Sequence, residues 1–166
     1  MGNCLALFLS LSVSFASIAQ LPFKKNSVYA EMFGNGIAIL SINYEHQFKD
    51  EAGFGYRLGL GFTDDYNFHF TFPFGIDYLV ELKQQKSFLD LGAGITVTAA
   101  SDMKTYRQQL VTGRGDREYI PSFVPSIGYR QHIIHQKFMW RLSLSTVVNK
   151  YRSFPFIGLS VGMRFK

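Results

Sequence analysis

Cysteine is almost missing from this 166-residue chain: there is one, Cys4, and it lies within the first few residues. Once the leader described below is removed no thiol remains, which excludes disulfides and cysteine metal sites. Charge is also scarce, with Asp, Glu, Lys and Arg together making 17% of the residues. The 17 Lys and Arg against 12 Asp and Glu leave a net charge of +5, but the bases are scattered and form no stripe or patch. A nucleic-acid partner is therefore not expected. No stretch carries a convincing helical period, and nothing repeats beyond a short strand-like pattern. The length leaves room for one domain.

The one long uncharged run, Leu5 to Ala19, is rich in Leu, Phe, Ser and Ala. Ser17-Ile18-Ala19 puts small residues at the two cleavage-determining positions, although no Lys or Arg precedes the run. It is too short and serine-rich to make a comfortable membrane helix. The expectation is a signal peptide over 1–19 and a mature domain over 20–166. Met1-Gly2-Asn3-Cys4 faintly suggests lipidation, but position six is Ala rather than Ser or Thr, and the match is read as coincidence.

What the chain has in excess is aromatic residues, 16% of the total, and glycine, 15 residues. Phe68 to Val80 shows how they are used. Phe68, Phe70, Phe72, Phe74, Ile76, Tyr78 and Val80 alternate with His69, Thr71, Pro73, Gly75 and Asp77, and only Leu79 breaks the rule. A period of two means a strand with two unlike faces. The non-aromatic face carries glycine and isolated polar groups in place of the Lys/Glu/Thr coat of a water-facing sheet. A bulky face against lipid and a crowded polar interior suit that pattern.

The same alternation recurs in Val28–Phe33, Ile39–Phe48, Gly53–Phe62, Leu89–Thr98, Ser122–Arg130, Phe138–Ser145 and Ile157–Phe165. The fold expected is therefore all-β, an eight-stranded antiparallel up-and-down transmembrane barrel. Glu31, Glu45, Asp77 and Asp90 fall on the inward face, with Arg57, Arg130, Arg141 and Arg164 opposing them. Buried charge needs pairing, so these residues are read as an interior charge network of structural purpose. An eight-stranded barrel is just wide enough for side chains to fill. A plugged interior is expected.

With the N-terminus in the periplasm, Lys49–Ala52, Glu81–Lys86 and His132–Lys137 become short periplasmic turns. Gly34-Asn35-Gly36, Asp64–Asn67 and the long Ser101–Glu118 segment then lie outside the cell. The competing architecture is a soluble lipocalin-like barrel, with the apolar face turned inward around a ligand.

Asn43–Phe48 (NYEHQF), Leu89–Ile95 (LDLGAGI), Pro125–Arg130 (PSIGYR) and Phe156–Phe165 (FIGLSVGMRF) resemble segments of the small outer-membrane β-barrel proteins of the OmpA/OmpX-like class. They are similar in particular to uncharacterised Bacteroidetes barrels, over Ser27 to Lys166. The resemblance implies a monomer in the outer membrane of a Gram-negative cell. It also implies that the terminal aromatic read by the barrel-assembly machinery is Phe165, here followed by Lys166. No cofactor is implied.

Candidate sites are few. Lys104, Arg107, Arg114 and Arg117 in the long outer segment are suited to lipopolysaccharide phosphates, since arginine grips phosphate bidentately. Arg114-Gly115-Asp116 is an adhesion tripeptide but also ordinary turn chemistry. His132 and His135, three apart in a turn, make a weak metal motif against a solvated-turn reading. His69 is the one histidine that a lipid-modifying hydrolase would need, yet it points inward and has no defensible Ser or acid partner. An enzyme is not expected. Tyr29, Tyr44, Tyr56, Tyr66, Tyr78, Tyr129, Tyr151 and Trp140 are candidates for interfacial girdles. The role expected is structural or surface contact through 101–118. A narrow transport channel is the first alternative, and a lipid-modifying enzyme the last.

Overall fold

The structure is a computed structural model. It describes residues 23–34, 38–64, 68–101, 117–149 and 153–166, with side chains described throughout except at 63, 64, 68, 69, 100, 101, 117 and 118. The leader expected over 1–19, with Cys4, lies outside these residues.

Strands form wherever the sequence alternates: β1 (Asn26–Met32), β2 (Leu40–Gln47), β3 (Phe54–Asp64), β4 (Phe68–Lys83), β5 (Ser87–Ser101), β6 (Arg117–Ile133), β7 (Phe138–Val148) and β8 (Ser153–Phe165). Each pairs antiparallel with its neighbours in sequence, and β1 closes on β8. The barrel has no open edge. Stepping straight across from Val28 through Tyr44, Leu58, Phe74, Ile95, Phe123 and Val148 leads to Ser153. Met32, four residues beyond Val28, pairs with Leu159, six residues beyond Ser153. The stagger over one circuit is therefore ten residues, and such a shear tilts strands roughly 35–45° from the axis.

The faces follow the parity read from the sequence. Ile42, Phe54, Leu60, Phe74 and Ile157 point away from the barrel, the last 68% exposed. Ser41, Asn43, Thr71, Thr96, Ser122 and Ser160 point into it and are buried. The lipocalin-like alternative required the reverse. Glycine on the inward face makes room for long side chains: a Cβ on Gly92 would sit 2.5 Å from both Arg57 Nη2 and Ser126 Oγ.

Several boundaries differ from expectation. Strands run from 7 to 17 residues because β4, β5 and β6 continue past the apolar stretch that marks them. Ser101 pairs with Arg117 and Ala100 with Glu118, so both ends of the expected outer loop are strand. The β4–β5 turn is confined to 84–86 and the β6–β7 turn to 134–137. Gly53 precedes β3 and has open space where a Cβ would lie. Asn35–Gly36 and Tyr66–Asn67 lie outside the described residues.

Candidate functional site in the barrel interior

Parity delivers Glu31, Glu45, Arg57, Asp77, Asp90, Arg130, Arg141 and Arg164 into the lumen, all of them buried. Five are joined by ion pairs. Arg130 on β6 donates Nη1 and Nη2 to the two carboxylate oxygens of Glu45 on β2, the Nη2–Oε2 bond being 2.7 Å. Its Nε and Nη2 also reach Asp90 Oδ2, at 3.1 and 2.6 Å. The same oxygen accepts from Arg141 Nη1 at 3.2 Å, while Arg141 Nη2 donates to Glu31 Oε1 at 2.7 Å. Ser160 Oγ donates to that Glu31 oxygen at 3.3 Å, and the Tyr29 ring lies 5.0 Å from the Arg141 guanidinium. Two cations are thus held among three carboxylates, by bonds that join β1, β2, β5, β6 and β7.

The remaining three charges are placed differently from a simple four-against-four pairing. Asp77 Oδ2 accepts from Gln47 Nε2 at 2.7 Å, and Gln47 donates also to Glu45 Oε1 at 3.1 Å. A neutral amide therefore bridges two acids. Arg57 Nη2 donates to Ser126 Oγ at 3.2 Å, and its Nη1 has no partner among the described residues.

Arg164 lies apart, at the end of the barrel that holds the turns. Its Nη1 donates to His132 Nδ1 at 2.8 Å and to Gln136 Oε1 at 3.2 Å, and its Nη2 to the Lys24 carbonyl oxygen. Lys24 Nζ returns a bond to the Arg164 carbonyl at 3.3 Å. The Phe23 ring lies 4.5 Å from the guanidinium and packs edge-on to Phe88, with Leu79 completing an apolar cap. Leu79 broke the alternation in sequence because this mouth is closed by apolar side chains. Partial burial and then the charges of Lys137 and Arg164 hold the Lys24 ammonium below its usual pKa. Phe23 carried no sequence signal, whereas Phe88 shares its parity with Asp90.

Two readings are corrected. Tyr29 is not a girdle residue: it shares its parity with Glu31 and is buried in the lumen, 1% exposed. His132 is not in a solvated turn: it lies on β6, is buried, and stacks on Phe88 with centroids 4.4 Å apart. His135 is exposed in the turn, so the two histidines do not converge, and no metal-binding group of side chains occurs among the described residues. The backbone of His69 pairs with Thr63, and its side chain is among those not described. Tyr44, Tyr56, Tyr78, Tyr129 and Trp140 do lie on the outer surface, at the turn end. Tyr66 and Tyr151 lie outside the described residues, as do Lys104, Arg107, Arg114 and Asp116. For Arg117 only the backbone is described.

No known sequence family matches the chain, and no curated protein does. Among solved structures, the chain is similar to the N-terminal β-barrel domain of Pseudomonas aeruginosa OprF, with a TM-score of 0.60. The two share a fold. The superposition covers 85% of this chain and 96% of the OprF domain, at 11% sequence identity. At that identity the likeness concerns the path of the chain and not the residues in the lumen. It supports the barrel fold, and it does not bear on the bacterial group suggested by the sequence motifs. The charge network is therefore read from this chain's own geometry.

Proposed function

We propose that the chain is a monomeric outer-membrane protein, exported by cleavage after Ala19. Its filled interior does not conduct, and its role is structural or one of surface contact through residues 101–118. The observation that carries this reading is the inverted barrel: polar and charged groups are sealed inside while Phe, Leu and Ile cover the outside. In lipid every backbone group must be satisfied internally, which closure achieves, and an apolar belt then needs no water-soluble coat. Phe165 is exposed at the end of β8, where an assembly factor can read it. Lys104, Arg107, Arg114, Asp116 and Arg117 are the residues assigned to surface contact, the bases with lipopolysaccharide phosphate. No reaction is assigned.

Mobility of the outer-membrane fraction on a detergent gel, with and without boiling, tests the reading. A closed barrel resists the detergent cold and shifts when heated. An unshifted band in the soluble fraction overturns it.

The unpartnered Arg57 Nη1 favours one second reading, a narrow channel in which water occupies the unfilled bonding positions. Arg57→Ala or Arg141→Ala raises single-channel conductance if the guanidinium groups obstruct a path. Unchanged conductance favours the filled barrel.

A further inference from the structure

We infer that the turn-side rim of the barrel binds anionic phospholipid headgroups through Lys83, Lys86, Lys137 and Lys166. The inference rests on the outer-membrane reading above and adds a partner to it.

The charge on this rim is not balanced. Asp50 and Glu51 are already engaged, with Lys25 Nζ 3.2 Å from Asp50 Oδ1 and Lys49 Nζ 3.8 Å from Glu51 Oε1. The third acid, Glu81, accepts from the backbone amide of Gln85. Lys83, Lys86, Lys137 and Lys166 are exposed, and none forms an ion pair among the described residues. Behind them Arg164 and Lys24 clasp each other's carbonyl oxygens, with no carboxylate between. Their charge adds to the field of the rim.

The height of these lysines identifies the partner. The outward aromatics at this end carry polar heads: Tyr129 Oη donates to Ser87 Oγ at 3.0 Å and Tyr44 Oη to Asn26 Oδ1 at 2.7 Å, each acceptor lying nearer the turns. Trp140 Nε1 donates to Gln131 Oε1 at 3.0 Å. Amphipathic rings of this kind mark the boundary between acyl chains and headgroups. Lys137, in the turn, precedes Trp140 by three residues, at most roughly 10 Å of chain, so it lies nearer the turns than the ring, on the headgroup side. The cations also do not converge on a pocket. They occupy the end of β4, the β4–β5 turn, the β6–β7 turn and the position after β8, so only a partner that surrounds the barrel at one height meets them all. A lipid leaflet does so, and flexible lysine stems can follow it.

Trp140 is the only tryptophan in the chain and sits among these lysines, which makes it the reporter. The chain from Gln20 onward is refolded into vesicles of zwitterionic phosphatidylcholine with a minor fraction of phosphatidylglycerol, one or the other brominated on its acyl chains. Quenching of Trp140 by the brominated anionic lipid is expected to correspond to roughly fivefold local enrichment over its mole fraction. The enrichment should vanish at about 0.5 M salt, where the screening length is a few ångströms. It should vanish also in the variant combining K83Q, K86Q, K137Q and K166Q, checked for its heat shift. If that variant does not fold, Lys137→Gln alone is expected to lower the enrichment at least twofold. Equal quenching by the two lipids, or enrichment that survives the substitutions, overturns the rim site and leaves the membrane barrel standing. Absence of quenching by either lipid overturns both readings.

Discussion

Arg130 and Glu45 face each other across the full width of the barrel, from β6 to β2, four strands apart whichever way the circuit is followed. The two Nη nitrogens each engage one carboxylate oxygen, a fork-to-fork contact that fixes direction as well as distance. Both side chains are 1% exposed. A bond along the diameter couples strands that share no backbone hydrogen bond, so it ties the cross-section of the barrel together.

Truncating Arg130 leaves Glu45 buried with only the neutral Gln47 amide beside it, whereas truncating Glu45 leaves Arg130 still bonded to Asp90. Arg130→Met is expected to cost about 3–5 kcal/mol, and the double variant Glu45→Leu with Arg130→Met much less, because Glu45 is then gone and Asp90 keeps Arg141. Urea unfolding in lipid vesicles measures both. A single variant as stable as the double would remove the pair from the account.

Gly162 is fixed by close approach. A Cβ there would meet Val28 O and Tyr29 Cβ, and lie 2.6 Å from Tyr29 Cα, all atoms of a neighbouring strand that cannot swing away. Gly162→Ala is expected to cost roughly 1–3 kcal/mol or to reduce the yield of heat-shiftable protein. Gly53→Ala, with nothing within 4 Å, should change neither. Equal behaviour of the two would contradict the packing described.

The N-terminal cap depends on one ring. Phe23→Ala removes the contacts to Phe88 and His132 and the stacking on Arg164, with an expected cost of about 3 kcal/mol. The segment remains attached through the Gln47 amide, which donates to the Lys25 carbonyl at 2.9 Å. Chymotrypsin cleavage near the N-terminus, followed with the urea midpoint, should rise in this variant alone.

The β6–β7 turn holds three consecutive non-glycine residues in the left-handed region, Ile134, His135 and Gln136, with φ of 48°, 54° and 60°. His135 is exposed, and His135→Gly should raise stability by about 1 kcal/mol as the Cβ clash disappears. Gln136→Gly should not, because it also deletes the bonds to Gln85 Oε1 and from Arg164. A stabilising Gln136→Gly would mean that those bonds carry little.

Depth in the bilayer is readable by charge placed on the outer face. Phe74→Lys, mid-strand in β4, is expected to cost about 2–4 kcal/mol in vesicles, and Ile133→Lys at the turn end about 0–1. The same cost at both positions would argue against a membrane around the belt.

Alternation alone put Glu45, Asp90, Arg130 and Arg141 on one face and Ile42, Phe74 and Leu142 on the other, because the pleat allows each residue only two directions. It also carried information that the aromatic reading overrode. Tyr29 has the parity of Glu31, and His132 that of Arg130, so both were legible as interior residues. His132 was hidden by a strand that runs past its apolar stretch into residues resembling a turn. Gln47 was readable as inward, but not as the link between Glu45 and Asp77.

The sequence by itself determined that strands form, how many there are and which side chains face in, since these depend on local period and turn chemistry. Only the tertiary structure decided which interior groups meet. Parity sets direction but not height, and height around a closed barrel depends on register summed over every pair, here a stagger of ten residues. That sum brings Arg130 level with Glu45 and Asp90, sends Arg164 to the turn-side mouth with His132, and leaves Arg57 to a serine.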